Sequence, residues 1–156
     1  GILFMSKRRK SGKVVVIDKE LINSSAFRSL RSSAVHVYLD FLGKRRLEKN
    51  RYRKNRGPDW KITNNGEIEY TYSEAEKKGI SKPSFTRSID QLVEHGFIDI
   101  ADTGAGVYRM KTLYSISTRW KDWGTEKFVE KKRPRRSRRH AGIGFQLGHP
   151  YFPPKK

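Results

Sequence analysis

The sequence predicts an α+β domain, helices followed by a small antiparallel sheet, carried between strongly basic ends. Three observations lead there. Apolar residues gather between Val14 and Trp123 and thin out on either side. Phe85, Ile89, Leu92 and Val93 fall at i, i+4, i+7 and i+8, the spacing of one buried helical face. Directly after them, Phe97 to Ala101 and Val107 to Ser117 read as two strands around the turn Asp102-Thr103-Gly104-Ala105-Gly106.

Each element follows from local chemistry. Met5 reads as the natural start, with residues 1–4 as a cloning remnant. Ser6 to Lys13 (SKRRKSGK) is polar and basic, so residues 1–13 form an N-terminal arm. The β-branched run Val14-Val15-Val16-Ile17 suits an edge strand. Two helices follow, roughly 24–30 with Phe27 and Leu30 turned inward, and 33–46 behind caps at Ser32 and Ser33. Ala34, Val37, Tyr38, Phe41 and Leu42 form the buried face of the second. Residues 43–65 are a basic insertion, far longer than the roughly 4–6 residues of an ordinary connection, and Gly57-Pro58 breaks any helix running into it. Its first part can extend the preceding helix. Glu67 to Tyr72 alternates Ile68, Tyr70 and Tyr72 with polar residues, as a half-buried strand does.

Ser73 then caps a short helix through Lys78, ended by Gly79 in the left-handed conformation. Ser81 caps the next, over 82–95, with Pro83 in its first turn where a missing N–H costs nothing. Gly96 closes it. Beyond the hairpin, Trp120, Trp123 and Phe128 pack a last segment back onto a domain spanning 14–128. Residues 129–156 are a basic tail rich in Gly, Pro and scattered aromatics, with no core of its own.

Helix, tight turn, helix and β-hairpin is the order of a winged helix-turn-helix. The stretches SEAEKKGIS and FTRSIDQLVEHGFIDI, within roughly residues 20–120, resemble the winged helix-turn-helix superfamily of microbial regulators and of plasmid- or phage-type replication initiators. The resemblance implies a DNA-binding protein whose second helix of the turn motif enters the major groove.

Charge points the same way. Lys and Arg number 35 against 16 Asp and Glu, a formal net charge of +19, which favours a polyanionic partner. Nucleic acid is the first candidate, double-stranded DNA ahead of RNA, and an acidic membrane or protein surface is the second. There is no cysteine, so disulfides and thiolate metal sites are excluded. No run approaches the roughly 18 apolar residues of a membrane span, and no membrane partner is expected. The expected location is cytoplasmic, at the nucleoid, or nuclear in a eukaryotic source. His36, His95, His140 and His149 lie in different elements without ligand spacing, and His36 among apolar residues reads as structural. No nucleophile has a base beside it. Neither an enzyme, a metal nor a cofactor is expected.

Four groups of residues are the candidate site. On helix 82–95, the polar face offers Lys82, Ser84, Thr86, Arg87, Ser88 and Gln91. Arg87 can bond two guanine acceptors at once, and Gln91 can do the equivalent with adenine. Lys82 and Ser84 suit phosphate. The plain alternative is a solvated helix face. On the second wing strand, Arg109 and Lys111 share one face and reach backbone or minor groove; edge-strand charge that discourages aggregation explains them equally well. In the insertion, Arg45, Arg46, Arg51, Tyr52, Arg53, Lys54 and Arg56 suit a phosphate backbone, with Tyr52 able to stack on an unpaired base. In the tail, Lys131, Lys132, Arg133, Arg135, Arg136, Arg138 and Arg139 form an arginine-rich arm of the kind that tracks phosphates or enters narrow minor grooves.

The expected function is sequence-specific duplex binding in transcription regulation or replication-origin recognition. A second reading makes the chain an accessory subunit of a larger ribonucleoprotein or nucleoprotein complex. There the arms would contact RNA and the GIGFQLGHPYFPP stretch would dock on a protein partner.

Overall fold

A computed structural model describes residues 14–50, 59–103 and 111–134 of the chain. The two arms beyond them, the tip of the insertion at 51–58 and the hairpin turn at 104–110 lie outside the described residues.

The chain enters as extended backbone over 14–17 that joins no sheet. The edge strand expected there is corrected. The run lies along the end of a helix instead: the Val16 carbonyl accepts from Arg45 Nη2 at 2.6 Å, and a Cβ placed on Gly43 would stand 3.8 Å from Val15. Two short helices follow, α1 (Lys19–Asn23) and α2 (Ser25–Arg28). Ser24 makes the corner between them. Its hydroxyl donates to the Leu21 carbonyl at 2.6 Å and accepts from Phe27 N at 3.1 Å, ending one helix and capping the next.

The scaffold helix α3 spans Ser32–Lys44 and buries Ala34, Val37, Tyr38, Phe41 and Leu42, the face its periodicity predicts. His36 differs from expectation: it is exposed, on the opposite side.

The insertion is a hairpin rather than an irregular loop. Strands β1 (Leu47–Asn50) and β2 (Asp59–Ile62) pair antiparallel, with Leu47 opposite Ile62 and Lys49 opposite Trp60. Its neck is tied by one side chain: Asn64 Oδ1 accepts from Arg46 N at 2.7 Å, and its amide donates to the Lys44 carbonyl at 3.0 Å. Helix α3 therefore stops at Lys44 and does not extend into the insertion.

A second sheet of three strands runs in the order β3 (Ile68–Glu69), β5 (Leu113–Ile116), β4 (Ile98–Asp102), all antiparallel. Strand β3 is shorter than the predicted 67–72. Tyr70 leaves it to bury its ring, and Thr71, rather than Ser73, caps the following helix α4 (Tyr72–Lys77) by accepting from Glu74 N at 3.2 Å. The register shifts between Ile100 and Asp102, a bulge opposite the start of β5. That strand begins only at Leu113, so Lys111 precedes it instead of lying within it.

Helix α5 (Lys82–Glu94) crosses α3 and buries Phe85, Ile89, Leu92 and Val93 against it. Each such side chain contributes about 2 kcal/mol of transfer free energy. Around this contact the core is aromatic. Phe41 meets Tyr70 and Tyr114 edge-on at 5.3 and 5.1 Å, Phe85 meets Tyr70 at 4.9 Å, and Phe97 stacks on Trp120 at 6.0 Å. Trp120 sits in a 3-10 turn (Arg119–Asp122) that brings the C-terminal segment back over Gly96. The result is an α+β architecture in which α4, α5 and the β4–β5 hairpin follow one another in the chain. Among the described residues no helix is long and apolar enough to cross a membrane.

Candidate nucleic-acid interface

The turn between α4 and α5 decides what α5 shows to solvent. Gly79 adopts φ +82°, and Ile80 N donates to the Ala75 carbonyl at 2.9 Å, which closes α4. Ser81 then caps α5, accepting from Ser84 N at 3.4 Å. The first turn of α5 is thereby exposed, and the positive end of the helix dipole faces outward with it.

Around this end lies an open depression of about 740 Å³, lined by Tyr72, Lys82, Pro83, Thr86 and Arg87. The Tyr72 ring packs edge-on against Phe85 at 5.3 Å and is 40% exposed. Its hydroxyl meets Thr86 Oγ1 at 3.2 Å, and Lys82 Nζ stands 5.7 Å from its ring centroid. Arg87 is exposed; its Nε donates to the Pro83 carbonyl at 3.3 Å, which lays the guanidinium back along the first turn. The structure thus brings Lys82, Thr86 and Arg87 together with Tyr72, a residue that the polar-face reading passed over. Tyr72 lies on another helix and had been read as the inward end of a strand.

Two candidates on α5 do other work. Ser88 is 2% exposed; its hydroxyl donates to the Ser84 carbonyl at 2.8 Å and meets the Ser33 hydroxyl, from which it can accept, at 3.2 Å. It belongs to the α3–α5 contact, and its place among base-reading residues is corrected. Gln91 is half-buried and engaged as well. Its Oε1 accepts from Arg31 N at 2.9 Å and its amide donates to the Ser29 carbonyl at 3.4 Å. Arg31 is the capping position of α3 and makes no side-chain cap there; Gln91 reaches from α5 to the N–H of Arg31 itself, the donor just ahead of the helix.

The exposed stripe of α5 is polar in the electrical sense as well. Lys82 and Arg87 occupy its first half, and Asp90 and Glu94 its second. Arg133 Nε bonds Asp90 Oδ1 at 2.8 Å, and Lys131 Nζ stands 3.4 Å from Asp99 Oδ2. These two residues of the basic arm are therefore ion-paired to the domain, in contrast to the free phosphate contacts expected of them. Lys132 is exposed; Arg135, Arg136, Arg138 and Arg139 lie outside the described residues.

Elsewhere, Lys111 Nζ pairs with Glu69 Oε2 at 3.1 Å across the sheet edge, with both groups largely in water. Arg109 lies outside the described residues. Arg45 and Arg46 sit at the neck of the β1–β2 ribbon, the first bound through its guanidinium and the second through its backbone. Arg51, Tyr52, Arg53, Lys54 and Arg56 fall on its tip, outside the described residues. His95 caps the end of α5, its Nδ1 2.9 Å from the Gln91 carbonyl and its ring stacked on Trp123 at 4.8 Å. Among the described residues no cluster of His, Asp and Glu stands close enough to hold a metal ion.

No protein-family profile, curated protein or solved structure matches the chain.

Proposed function

We propose that this chain is a winged-helix-type protein that binds double-stranded DNA sequence-specifically, in transcription regulation or replication-origin recognition. The observation that carries this reading is the polarity of α5. Its exposed surface is cationic at the N-terminal half (Lys82, Arg87), beside the Tyr72 ring of α4, and carries Glu94 and the Arg133-paired Asp90 at the C-terminal half. A helix so charged approaches a phosphate backbone with its first turn only, which is the end from which a recognition helix reads bases. Lys82 and the Ser84 region contact phosphate, and Arg87 reads guanine with its two Nη groups. The Tyr72 ring and Thr86 methyl supply an apolar wall suited to a thymine methyl group. The net charge of +19 supplies sequence-independent affinity through the ribbon tip and the arms.

The test begins with duplexes selected from a random pool on the intact chain, measured by fluorescence anisotropy across a salt series. Arg87→Ala is expected to cost about 1–3 kcal/mol on the selected duplex and to relax preference at one position. Lys82→Ala weakens all duplexes alike and lowers the salt slope by about 1. A pool that yields no consensus, or an Arg87→Ala protein with unchanged preference, overturns the reading. Tighter binding to RNA than to any duplex would favour a subunit of a ribonucleoprotein complex instead.

A further inference from the structure

We propose that the β1–β2 ribbon is a second nucleic-acid surface, on which Trp60 stacks an unpaired base of single-stranded DNA. Directly opposed residues of an antiparallel pair share a face, so Leu47, Lys49, Trp60 and Ile62 lie together on one side of the ribbon. The Trp60 indole is 57% exposed, whereas Trp120 is buried in the core. Leu47 is exposed beside it and Ile62 half-buried. A flat apolar platform with a lysine directly across from the indole is therefore held open to solvent.

A groove of about 690 Å³ runs from Trp60, Lys61 and Ile62 to Ser115 and Thr118 at the base of the β4–β5 hairpin, and no residue of α4 or α5 lines it. One carboxylate, Asp99, borders it, and that charge is neutralised by Arg119 at 2.5 Å and Lys131 at 3.4 Å. Among the described residues, Lys61 lines the groove and Lys49 stands across from the indole, an excess over the neutralised Asp99. This excess complements a phosphate backbone.

The geometry selects an unpaired strand over a duplex. Bases inside a duplex are stacked on both faces and offer no plane to an indole. A strand with splayed bases lays one on the aromatic ring while its phosphates follow the cations. The choice of DNA over RNA rests on the duplex-DNA reading above, a strand freed beside a bound duplex being the nearest ligand. The stacking surface itself does not depend on that reading.

The test uses the full chain and its Trp60→Ala, Trp60→Phe and Arg87→Ala variants. The probes are fluorescein-labelled oligo(dT), oligo(rU) of equal length and the pool-selected duplex. Oligo(dT) is expected to quench the intrinsic tryptophan emission of the full chain. Trp60→Ala weakens oligo(dT) binding about tenfold, and Trp60→Phe restores most of it. Trp60→Ala leaves duplex affinity within about twofold, as separate sites do. Arg87→Ala gives the reverse pattern.

Unchanged oligo(dT) affinity in Trp60→Ala, an equal loss on both ligands, or a Trp60→Phe variant as weak as Trp60→Ala overturns the proposal. So does a Trp60→Ala chain that fails to fold, since the indole would then be a core residue. Tighter binding of oligo(rU) than of oligo(dT) overturns the assignment to DNA. If Trp60 controls oligo(dT) while no duplex preference exists, the duplex reading alone falls.

Discussion

Arg119 grips Asp99 through two of its nitrogens, Nε at 3.0 Å and Nη2 at 2.5 Å, and the same guanidinium ties two other parts of the chain to that point. It donates to the carbonyls of Val93 at 2.9 Å, near the end of α5, and of Val129 at 2.7 Å, on the returning C-terminal segment. The Phe128 ring lies 5.7 Å beneath it. One planar side chain thus joins the end of α5, the start of β4 and the origin of the basic arm.

Removing it should therefore both weaken the domain and free the arm. Arg119→Ala leaves Asp99 largely buried with only Lys131 for company, and the expected loss is about 3 kcal/mol in chemical denaturation. At native temperature, limited trypsin digestion should cut after Lys131 and Lys132 sooner than in the parent chain. A variant with parental stability and parental digestion would show the joint to be energetically idle.

Gln91 faces a different test, because a polar residue on α5 is easily taken for a reader of bases. Its amide is committed to Arg31 N and the Ser29 carbonyl, just ahead of α3. Gln91→Ala is expected to lower stability by about 1 kcal/mol, the usual net worth of an intramolecular hydrogen bond. Selection from a random duplex pool should return the same consensus with the variant as with the parent. A shifted consensus with unchanged stability would return Gln91 to the reading surface.

Two glycines with the same backbone conformation should respond differently to alanine. Gly79 has φ +82° and nothing within 4 Å of a would-be Cβ, so Gly79→Ala carries the left-handed penalty alone, about 1 kcal/mol. Gly96 has φ +85°, and a Cβ there would meet Trp120 N at 2.7 Å and the Arg119 backbone at 2.8 Å. Gly96→Ala must push the 3-10 turn off the core, at a cost of about 3 kcal/mol or more. Thermal melts of the pair decide it: equal shifts would mean the turn yields freely.

Alkali should unfold the protein through its core tyrosines. Burial pushes the Tyr114 hydroxyl up from 10.0 to about 12. Tyr38 is raised further by burial, and Tyr70 by burial and by its 2.6 Å hydrogen bond to Asp40. A raised folded-state value means the folded chain holds these protons more tightly than the unfolded one. The associated stability is complete below pH 10 and drains away as pH climbs through about 12. Absorbance at the phenolate band should show these three tyrosines ionising only together with loss of the near-ultraviolet dichroism. Ionisation of all seven tyrosines near pH 10 with the fold intact would contradict the burial.

Much of this was readable along the chain. The buried faces of α3 and α5 are the ones their periodicity predicts, since a helix repeats every 3.6 residues and five or four apolar positions on one face leave little choice. The closing segment was readable at Trp120 and Trp123 for a similar reason, since large aromatics in a basic stretch need a core to join, whereas Phe128 lies against the Arg119 guanidinium instead. The β1–β2 ribbon escaped because its four-residue strands bury little, and charged residues obscure any alternation. The cap of α4 escaped because Ser73 is the better capping residue type of the two, Thr71 the weaker. Only burial of the Tyr70 ring sets the helix start between them.

By itself the sequence determined the excess positive charge, the order of helices and hairpin and the apolar faces that hold them together. All are properties of residue type and spacing. The tertiary structure alone decided which polar residues remain available for a partner. Ser88 and Gln91 have the composition of contact residues, and packing of α5 against α3 consumes both. Tyr72 and Trp60 have the composition of core residues, and the fold leaves both open to solvent. A hydrogen-bonding group or a ring is available only if no neighbour from a distant part of the chain already occupies it. That is a question of three-dimensional proximity, which spacing along one element does not encode.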